Sequence, residues 1–564
     1  MVLCVAALAS AKNPKIARDL QGLDSSSTVD VIVQFKQVPT ERHHQKVRDR
    51  GGVVRARLNL VKGGAYTIPA SALRGLAADP EVAHISPDHK LKGMLDLTAA
   101  AVNASAAWTA GWYGTGIGVA VIDSGISNED DLNNSNRVLS QSVPGVPQPQ
   151  PSGKSVVYAQ SFVQGGDTND HYGHGTHVAG ILAASGQDSI CAGCTRTLRG
   201  MAPMASIINL KVLDQNGEGS DSGVIAAIDE AIALKNQYNI RVINLSLGRP
   251  VFESYTVDPL CQAVEAAWKA GIVVVVAAGN DGRDNSQGTE GYGTITAPGN
   301  DPYVITVGAM KTEGTPTRSD DLIASYSSKG PTMIDHVVKP DIVAPGNQVA
   351  SLLADGGAAL YKSYPQTWLP QSYYQPGHNN RSPKYYVLSG TSMATPVVSG
   401  AVADLLQAQP NLTPDQVKAT LMLTAYKNLP ASSSVVDPAT GTVYTDYYDI
   451  FTVGAGYLDI QAALNSTTVA AGTALSPTAN FDDSSGNVYL SFDPSTVWNT
   501  QPGWSDQSVW GNMTVEASHA VWGTHAVWGT STTEGFHAVW GTHAVWGTST
   551  DALQATAITV SGEN

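Results

Sequence analysis

Cysteine is scarce in this chain, four in 564 residues, which excludes a fold held by a dense disulfide framework. Cys4 lies in an apolar leader, Cys191 and Cys194 form a C-x-x-C pair, and Cys261 opens a helical stretch. With no second ligand pair nearby, zinc is a weaker reading of Cys191 and Cys194 than a local disulfide in a loop. One of the three remaining cysteines is odd, expected at Cys261 as a buried small hydrophobe. Positive charge is also short. The net charge is −15, and no lysine or arginine follows Lys427. Neither a nucleic-acid partner nor a membrane span is expected. Residues 1–94 run the other way, with 14 Lys+Arg against 8 Asp+Glu, net +6, which leaves −21 for the remainder. Such complementarity favours association of the two parts, although solubility alone would give the same numbers.

Three segments carry chemistry. Ser389-Gly390-Thr391-Ser392-Met393-Ala394-Thr395-Pro396 sets Ser392 among small residues at a helix start, where aligned amides favour developing negative charge. A serine hydroxyl needs a base. Asp170-His171-Tyr172-Gly173-His174-Gly175-Thr176-His177 places His174 between glycines ahead of a small-residue helix, and Val119-Ala120-Val121-Ile122-Asp123-Ser124-Gly125 ends an apolar run in a carboxylate. Ser392 would attack a carbonyl, His174 take and return the proton, and Asp123 fix the imidazole tautomer. A fourth segment, Gly271 to Gly279, is apolar throughout, as expected of a strand buried on both faces, and ends at Asn280. That amide can donate to an oxyanion beside Ser392, while Asn280-Asp281-Gly282 also reads as a turn.

These blocks, in the order Asp, His, Ser, resemble those of the subtilisin-like serine peptidases, the subtilases. Gly200-Met201-Ala202-Pro203, Ser246-Leu247-Gly248, Ala277-Ala278-Gly279-Asn280 and Lys339-Pro340-Asp341 through Pro345-Gly346 extend the likeness over about residues 95–466. The asparagine at 280 separates the chain from the similar sedolisins, which use an aspartate there. The resemblance implies an α/β fold, a parallel sheet with helices on both faces. Strand-like runs at 117–122, 206–213, 240–245 and 272–278 alternate with helical stretches at 176–185, 221–236 and 258–270, in agreement. It also implies peptide-binding edges at Gly217-Glu218-Gly219 and Ser246-Leu247-Gly248, continued by Ala277, Ala278 and Gly279. Thr296 would then floor a shallow primary pocket that prefers medium apolar side chains. No cofactor is required. Calcium is implied as a structural ion at Asp131, although the cysteine-bearing loop Ser185–Ile190 departs from the family pattern and a solvated acidic turn reads better.

The flanks are read separately. Residues 1–11 end in Ala9-Ser10-Ala11, a processing-site pattern without a basic segment before it, and read as a truncated secretory signal, with a cytosolic start as the alternative. Residues 12–94 follow a β-α-β-β-α-β order that suggests a ferredoxin-like unit. That unit resembles the inhibitory propeptides of subtilases, released by self-cleavage between Lys92 and Leu97. Residues 95–468 are the catalytic domain, and Thr413-Pro414-Asp415-Gln416 there is a capped helix start. Residues 469–564 form a C-terminal tail with His-Ala-Val-Trp-Gly-Thr repeats beginning at His519, His525, His537 and His543, and degenerate forms at Val497-Trp498 and Val509-Trp510. A small β-rich repeat, a surface-binding tail and a low-complexity linker compete for it. The expectation is a secreted, monomeric endopeptidase acting on proteins and peptides, made as an autoprocessing zymogen with its propeptide as inhibitor. Its tail is a candidate for attachment to the cell surface. A surface-binding protein and an inactive homologue are the competing classes.

Overall fold

The computed structural model describes residues 15, 16, 20, 27–58, 62–87, 95–133, 154–286, 288–354, 358–437, 440–482, 487–500, 559 and 561–563. The expected signal, most of the expected cut region and the His-Ala-Val-Trp-Gly-Thr repeats lie outside the described residues. The chain divides into two compact units, Met1–Lys92 and Gly93–Asn564.

The first unit contains β1 (Thr28–Phe35), a helix Glu41–Arg48, β2 (Val53–Leu58), β3 (Gly63–Pro69), a helix Leu73–Ala77 and β4 (Val82–Pro87). Its four strands are antiparallel in the order β2-β3-β1-β4, the ferredoxin-like arrangement. Alternation along β1 turns Val31, Val33 and Phe35 inward, where they meet Val47, Tyr66, Ile68, Leu73, Leu76 and Ile85. Gly63 and Gly64 occupy the first two positions of β3.

The second unit is built on a parallel sheet. Its strands are β5 (Gly118–Asp123), β6 (Val156–Ser161), β7 (Ser206–Lys211), β8 (Ile240–Leu245), β9 (Val273–Ala277), β10 (Ile305–Lys311), β11 (Leu322–Ile323) and β12 (Ile342–Pro345). Their order is β11-β10-β9-β8-β5-β7-β6, with β12 also on β10, and the β10–β11 pair alone is antiparallel. Every residue of β5, β9 and β10 is buried, which explains why these strands read as unbroken apolar runs rather than alternating ones. Helices Thr391–Ala408 and His174–Ala183 pack together against the sheet, and Asp221–Ala233 and Pro259–Lys269 form a second pair on it. The parallel strands bring Asp123, at the end of β5, and Asn280, three residues beyond β9, to the same carboxyl edge.

The expected capping box holds: Thr413 N donates to Gln416 Oε1 (2.9 Å) and Gln416 N to Thr413 Oγ1 (3.3 Å). The catalytic body, however, runs past 468. Residues Thr478–Asp482 and Asn487–Ser491 form a hairpin. Its edge joins the body through Val338 N to Pro477 O (2.8 Å) and Ala479 N to His336 O (2.9 Å). Ala470, Ala474, Ala479, Val497 and Trp498 complete an apolar cluster with Met422 and Phe451. The sequence expectation places these residues in the tail that carries the His-Ala-Val-Trp-Gly-Thr repeats. Their partners are far away in sequence. No described helix is long and apolar enough to cross a membrane.

Candidate active site

Asp123 sits at the last position of β5, 1 % exposed, and the glycine turn after it brings in the helix that begins at His174. A Cβ at Gly175 would fall 2.2 Å from Gly125 O, so only glycine lets that helix start approach the strand end this closely. His174 Nδ1 lies 2.8 Å from Asp123 Oδ1. A carboxylate only accepts, so Nδ1 carries the proton and Nε2 presents its lone pair. Asp123 Oδ1 also accepts from Ser124 N (2.7 Å), while Oδ2 is buried without a hydrogen-bond partner among the described residues. Burial opposes the imidazolium of His174, but the charge and hydrogen bond of Asp123, with Asp170 behind, outweigh it and hold the group above its ordinary pKa.

Asp170 was not singled out from the sequence, although it stands four residues before His174. Its Oδ1 accepts from Gly173 N (2.7 Å) and Ser124 Oγ (2.9 Å), and its Oδ2 from Thr176 N (2.8 Å). It thereby caps the His174 helix and ties it to the loop after β5. Ser124 Oγ in turn accepts from Gly175 N (2.9 Å). His177, the second histidine of the helix, is buried with Nε2 on Val349 O (3.0 Å), and burial pushes it down to about 3, so it stays neutral.

Ser392 is the second residue of helix Thr391–Ala408, after Gly390 at φ +140°. Pro396 has no N–H to give the carbonyl four residues back. That carbonyl, Ser392 O, accepts instead from Ser246 Oγ (2.8 Å), and Ser246 O accepts from Ser392 Oγ (3.0 Å). The nucleophile candidate is therefore turned toward Ser246 rather than hydrogen-bonded to His174, although both line one cleft of about 420 Å³. Apo hydroxyls often sit so. Asn280 is oriented by Thr391, whose N–H (2.9 Å) and Oγ1 (3.2 Å) both donate to Asn280 Oδ1. This leaves Nδ2 as the outward donor, 3.2 Å from where a Cβ on Gly390 would lie.

The cleft is also lined by Gly217, Gly219, Leu247 and Gly248, and Glu218 is exposed beside it. Ala277 and Ala278 are buried in the sheet, where Ala278 N donates to Val307 O (3.0 Å) and Ala278 O accepts from Thr296 N (3.0 Å), so neither offers a free edge. Thr296 turns Oγ1 to Ala278 O (3.3 Å), and a Cβ on Gly248 or Gly279 would meet its side chain at 2.5 and 2.8 Å. The two glycines thus let Thr296 pack closely between them, beside rather than among the residues that line the cleft.

Asp131 does not fit a cation ligand. Its Oδ1 accepts from Ser185 Oγ and Asp188 N (both 3.0 Å), and its Oδ2 from Tyr385 Oη (3.1 Å). Burial, with Asp188 nearby, pushes its carboxyl up to about 6. The charge in this corner is supplied by Lys384, whose ammonium lies 3.5 Å from Asp130 and Asp188 and 3.9 Å from Glu129. Among the described residues no group of three or more His, Cys, Asp or Glu could hold a metal ion. Cys191 and Cys194 are joined as a disulfide, and Cys261 is buried with Sγ on Asn300 Oδ1 (3.3 Å).

A buried carboxylate–imidazole pair and a helix-start serine on one cleft, at the carboxyl edge of a parallel sheet, define a hydrolase class that works through serine. The comparisons with known proteins narrow this. The model of the Subtilase family matches residues 114–456. Serine protease AprX of Bacillus subtilis is 32% identical over 418 residues, 71% of this chain and 83% of that protein. Subtilisin E of Bacillus subtilis is 33% identical over 409 residues, 71% of this chain and 86% of that protein. The extracellular serine proteinase of a Thermus strain is 31% identical over 394 residues, 67% and 74% respectively. The chain belongs to the subtilase family and is a serine endopeptidase.

Proposed function

We propose that the chain cleaves peptide bonds through Asp123, His174 and Ser392, with Asn280 in the oxyanion hole, and that it is made as an exported, autoprocessing zymogen. The observation that carries this reading is the 2.8 Å contact of His174 Nδ1 with Asp123 on the cleft that Ser392 also lines. Ser392 Oγ swings from Ser246 O and attacks the carbonyl carbon while its proton passes to His174 Nε2. Asn280 Nδ2, freed for donation because Thr391 holds Oδ1, meets the oxyanion. The imidazolium, stabilised by Asp123, returns the proton to the leaving amine. Water then releases the acyl group by the same path in reverse. Backbone edges at Gly217–Gly219 and Ser246–Gly248 receive the substrate as an added strand, which permits broad sequence tolerance. Thr296 between Gly248 and Gly279 favours medium apolar side chains over aromatic ones.

The ferredoxin-like unit of residues 12–94 is the inhibitor and folding template, supported by its topology and its charge. Export is supported by the Ala9-Ser10-Ala11 pattern, by the extracellular Thermus relative and by the Cys191–Cys194 disulfide. The mature enzyme works as a monomer without a required cofactor. The test compares wild type with Ser392→Ala for fluorophosphonate labelling and for intact mass. Labelling and loss of about residues 1–94 in wild type alone supports the reading; a wild type that neither labels nor matures overturns it.

A further inference from the structure

After position 500 the described residues resume at Thr559, and there the chain is back at the cleft. Ser389 N, three residues before the nucleophile candidate, donates to Thr559 O (2.9 Å), and Thr559 lines the cleft with His174 and Ser392. Gly562 lies at φ +63°, where a Cβ would fall 2.3 Å from Ser389 Oγ, so this close approach requires glycine. Glu563 is 5 % exposed. Its carboxylate accepts from Ser325 N (2.7 Å) and Ser325 Oγ (3.1 Å) and pairs with Lys311 (3.4 Å) and Arg283 (3.5 Å). Its backbone exchanges two hydrogen bonds with the Asn347 amide (2.8 and 2.6 Å) and takes a third from Gln348 Nε2 (3.2 Å).

This is a built receptor for an acidic peptide, and its walls are shared with the reaction site. Arg283 follows Asn280 by three residues, and the Asn347 loop touches Gly390 through Gly390 N to Gly346 O (2.9 Å). The receptor can also stand empty. Without Glu563, Arg283 keeps Ser325 Oγ (2.7 Å) and the Tyr444 ring, and Lys311 keeps Glu313 (3.3 Å). No lysine or arginine follows Lys427, so any ion pair of a late carboxylate with a lysine or arginine is made to the body. We propose that Thr559 is a tethered occupant of the cleft, held there by Glu563 latched in the Arg283–Lys311–Ser325–Asn347 pocket, and that it competes with peptide substrates. Attached to the body, it acts at an effective concentration on the order of millimolar, so even a weak latch raises the apparent KM about tenfold.

The proposal rests on the peptidase activity, and kcat keeps the two separable: no turnover refutes the activity, whereas turnover with an unchanged KM refutes the latch. On a short chromogenic peptide, deletion of residues 559–564 is expected to lower KM about tenfold with kcat within twofold of the full chain, whose intact end is verified by mass. The synthetic peptide Thr-Val-Ser-Gly-Glu-Asn, residues 559–564, then inhibits the truncated enzyme competitively, and its Glu-to-Gln analogue does so about tenfold more weakly. Should the truncated protein not fold, Glu563→Lys in the full chain carries the same expected fall in KM, reversed by adding Lys311→Glu. Equal KM values, or no inhibition by millimolar peptide, overturn it.

Discussion

The two edges of the catalytic sheet each hold a buried aspartate and treat it in opposite ways. Asp123, at the carboxyl end of β5, has one oxygen on His174 and Ser124 and the other without a partner among the described residues. Asp341, one residue before β12 and so at the amino edge, is satisfied throughout. It holds Lys339 (2.7 Å), Lys418 (3.1 Å), Ser476 Oγ (2.5 Å) and Thr306 N (2.8 Å). Lys418 further donates to Pro302 O, Tyr303 O and Val304 O. Both carboxylates are buried, so burial alone does not mark the reactive one. What marks it is its partner: Asp123 holds His174, which lines the cleft together with Ser392, whose Oγ donates to the Ser246 carbonyl. The amino-edge aspartate is spent on two buried lysines, whereas the carboxyl-edge aspartate holds a histidine that lines a cleft.

The comparison is broken most directly at Asp123. Asp123→Asn is expected to lower kcat on the order of 10⁴-fold, and Asn280→Ala on the order of 10²–10³-fold, with thermal midpoints close to wild type. The pH profile follows from the sign of the histidine shift. The base must be neutral, so kcat/KM falls as pH drops through a pKa held above the ordinary imidazole value. In Asp123→Asn burial is opposed by Asp170 alone, the weakest of the raising influences, and the residual acid limb moves to lower pH. An unmoved limb would detach His174 from Asp123.

At the amino edge the loss is in stability instead. Asp341→Asn leaves two buried ammonium groups without their carboxylate, which costs about 3–5 kcal/mol in urea unfolding, while the folded protein keeps its kcat within about twofold. Burial opposes the charge on Asp341, but Lys339 and Lys418 outweigh it and hold the carboxyl below the ordinary range. A depressed carboxyl contributes stability at neutral pH that is lost as pH falls below its unfolded value through the folded one. The variant lacks that acid-side loss. Lost activity without lost stability would erase the distinction between the edges.

Much of this was legible in the sequence for identifiable reasons. β5 and β9 are continuous apolar runs that end abruptly in Asp123 and near Asn280, and Gly173, Gly175 and Gly390 flag close backbone approach around His174 and Ser392. The ferredoxin-like order was legible because its elements are short and punctuated. What was not legible depends on partners distant in sequence. Tyr385 reaches Asp131 across 254 positions, and Lys384 gathers Asp130 and Asp188 into the same corner. The Ser246–Ser392 exchange has a local signal, Pro396 four residues after Ser392, but the donor to the freed carbonyl, Ser246 Oγ, lies just beyond β8. The hairpin after 476 reads as linker until Val337 and Val338 supply its edge.

The smallest effect tests that acidic corner. Lys384 is a third exposed, so solvent screens its three carboxylate contacts, and Lys384→Ala is expected to cost about 1 kcal/mol, less at high salt. Removing the ammonium leaves Glu129, Asp130 and Asp188 with like charges close together and no cation between them, whereas Asp131 keeps its three neutral donors. Millimolar calcium is then expected to raise the thermal midpoint of Lys384→Ala more than that of wild type, because the divalent ion takes the place of the lost ammonium. A wild type stabilised by calcium as strongly as the variant would mean that Lys384 does not stand where a cation is needed, and the corner would have to be read as a metal site after all.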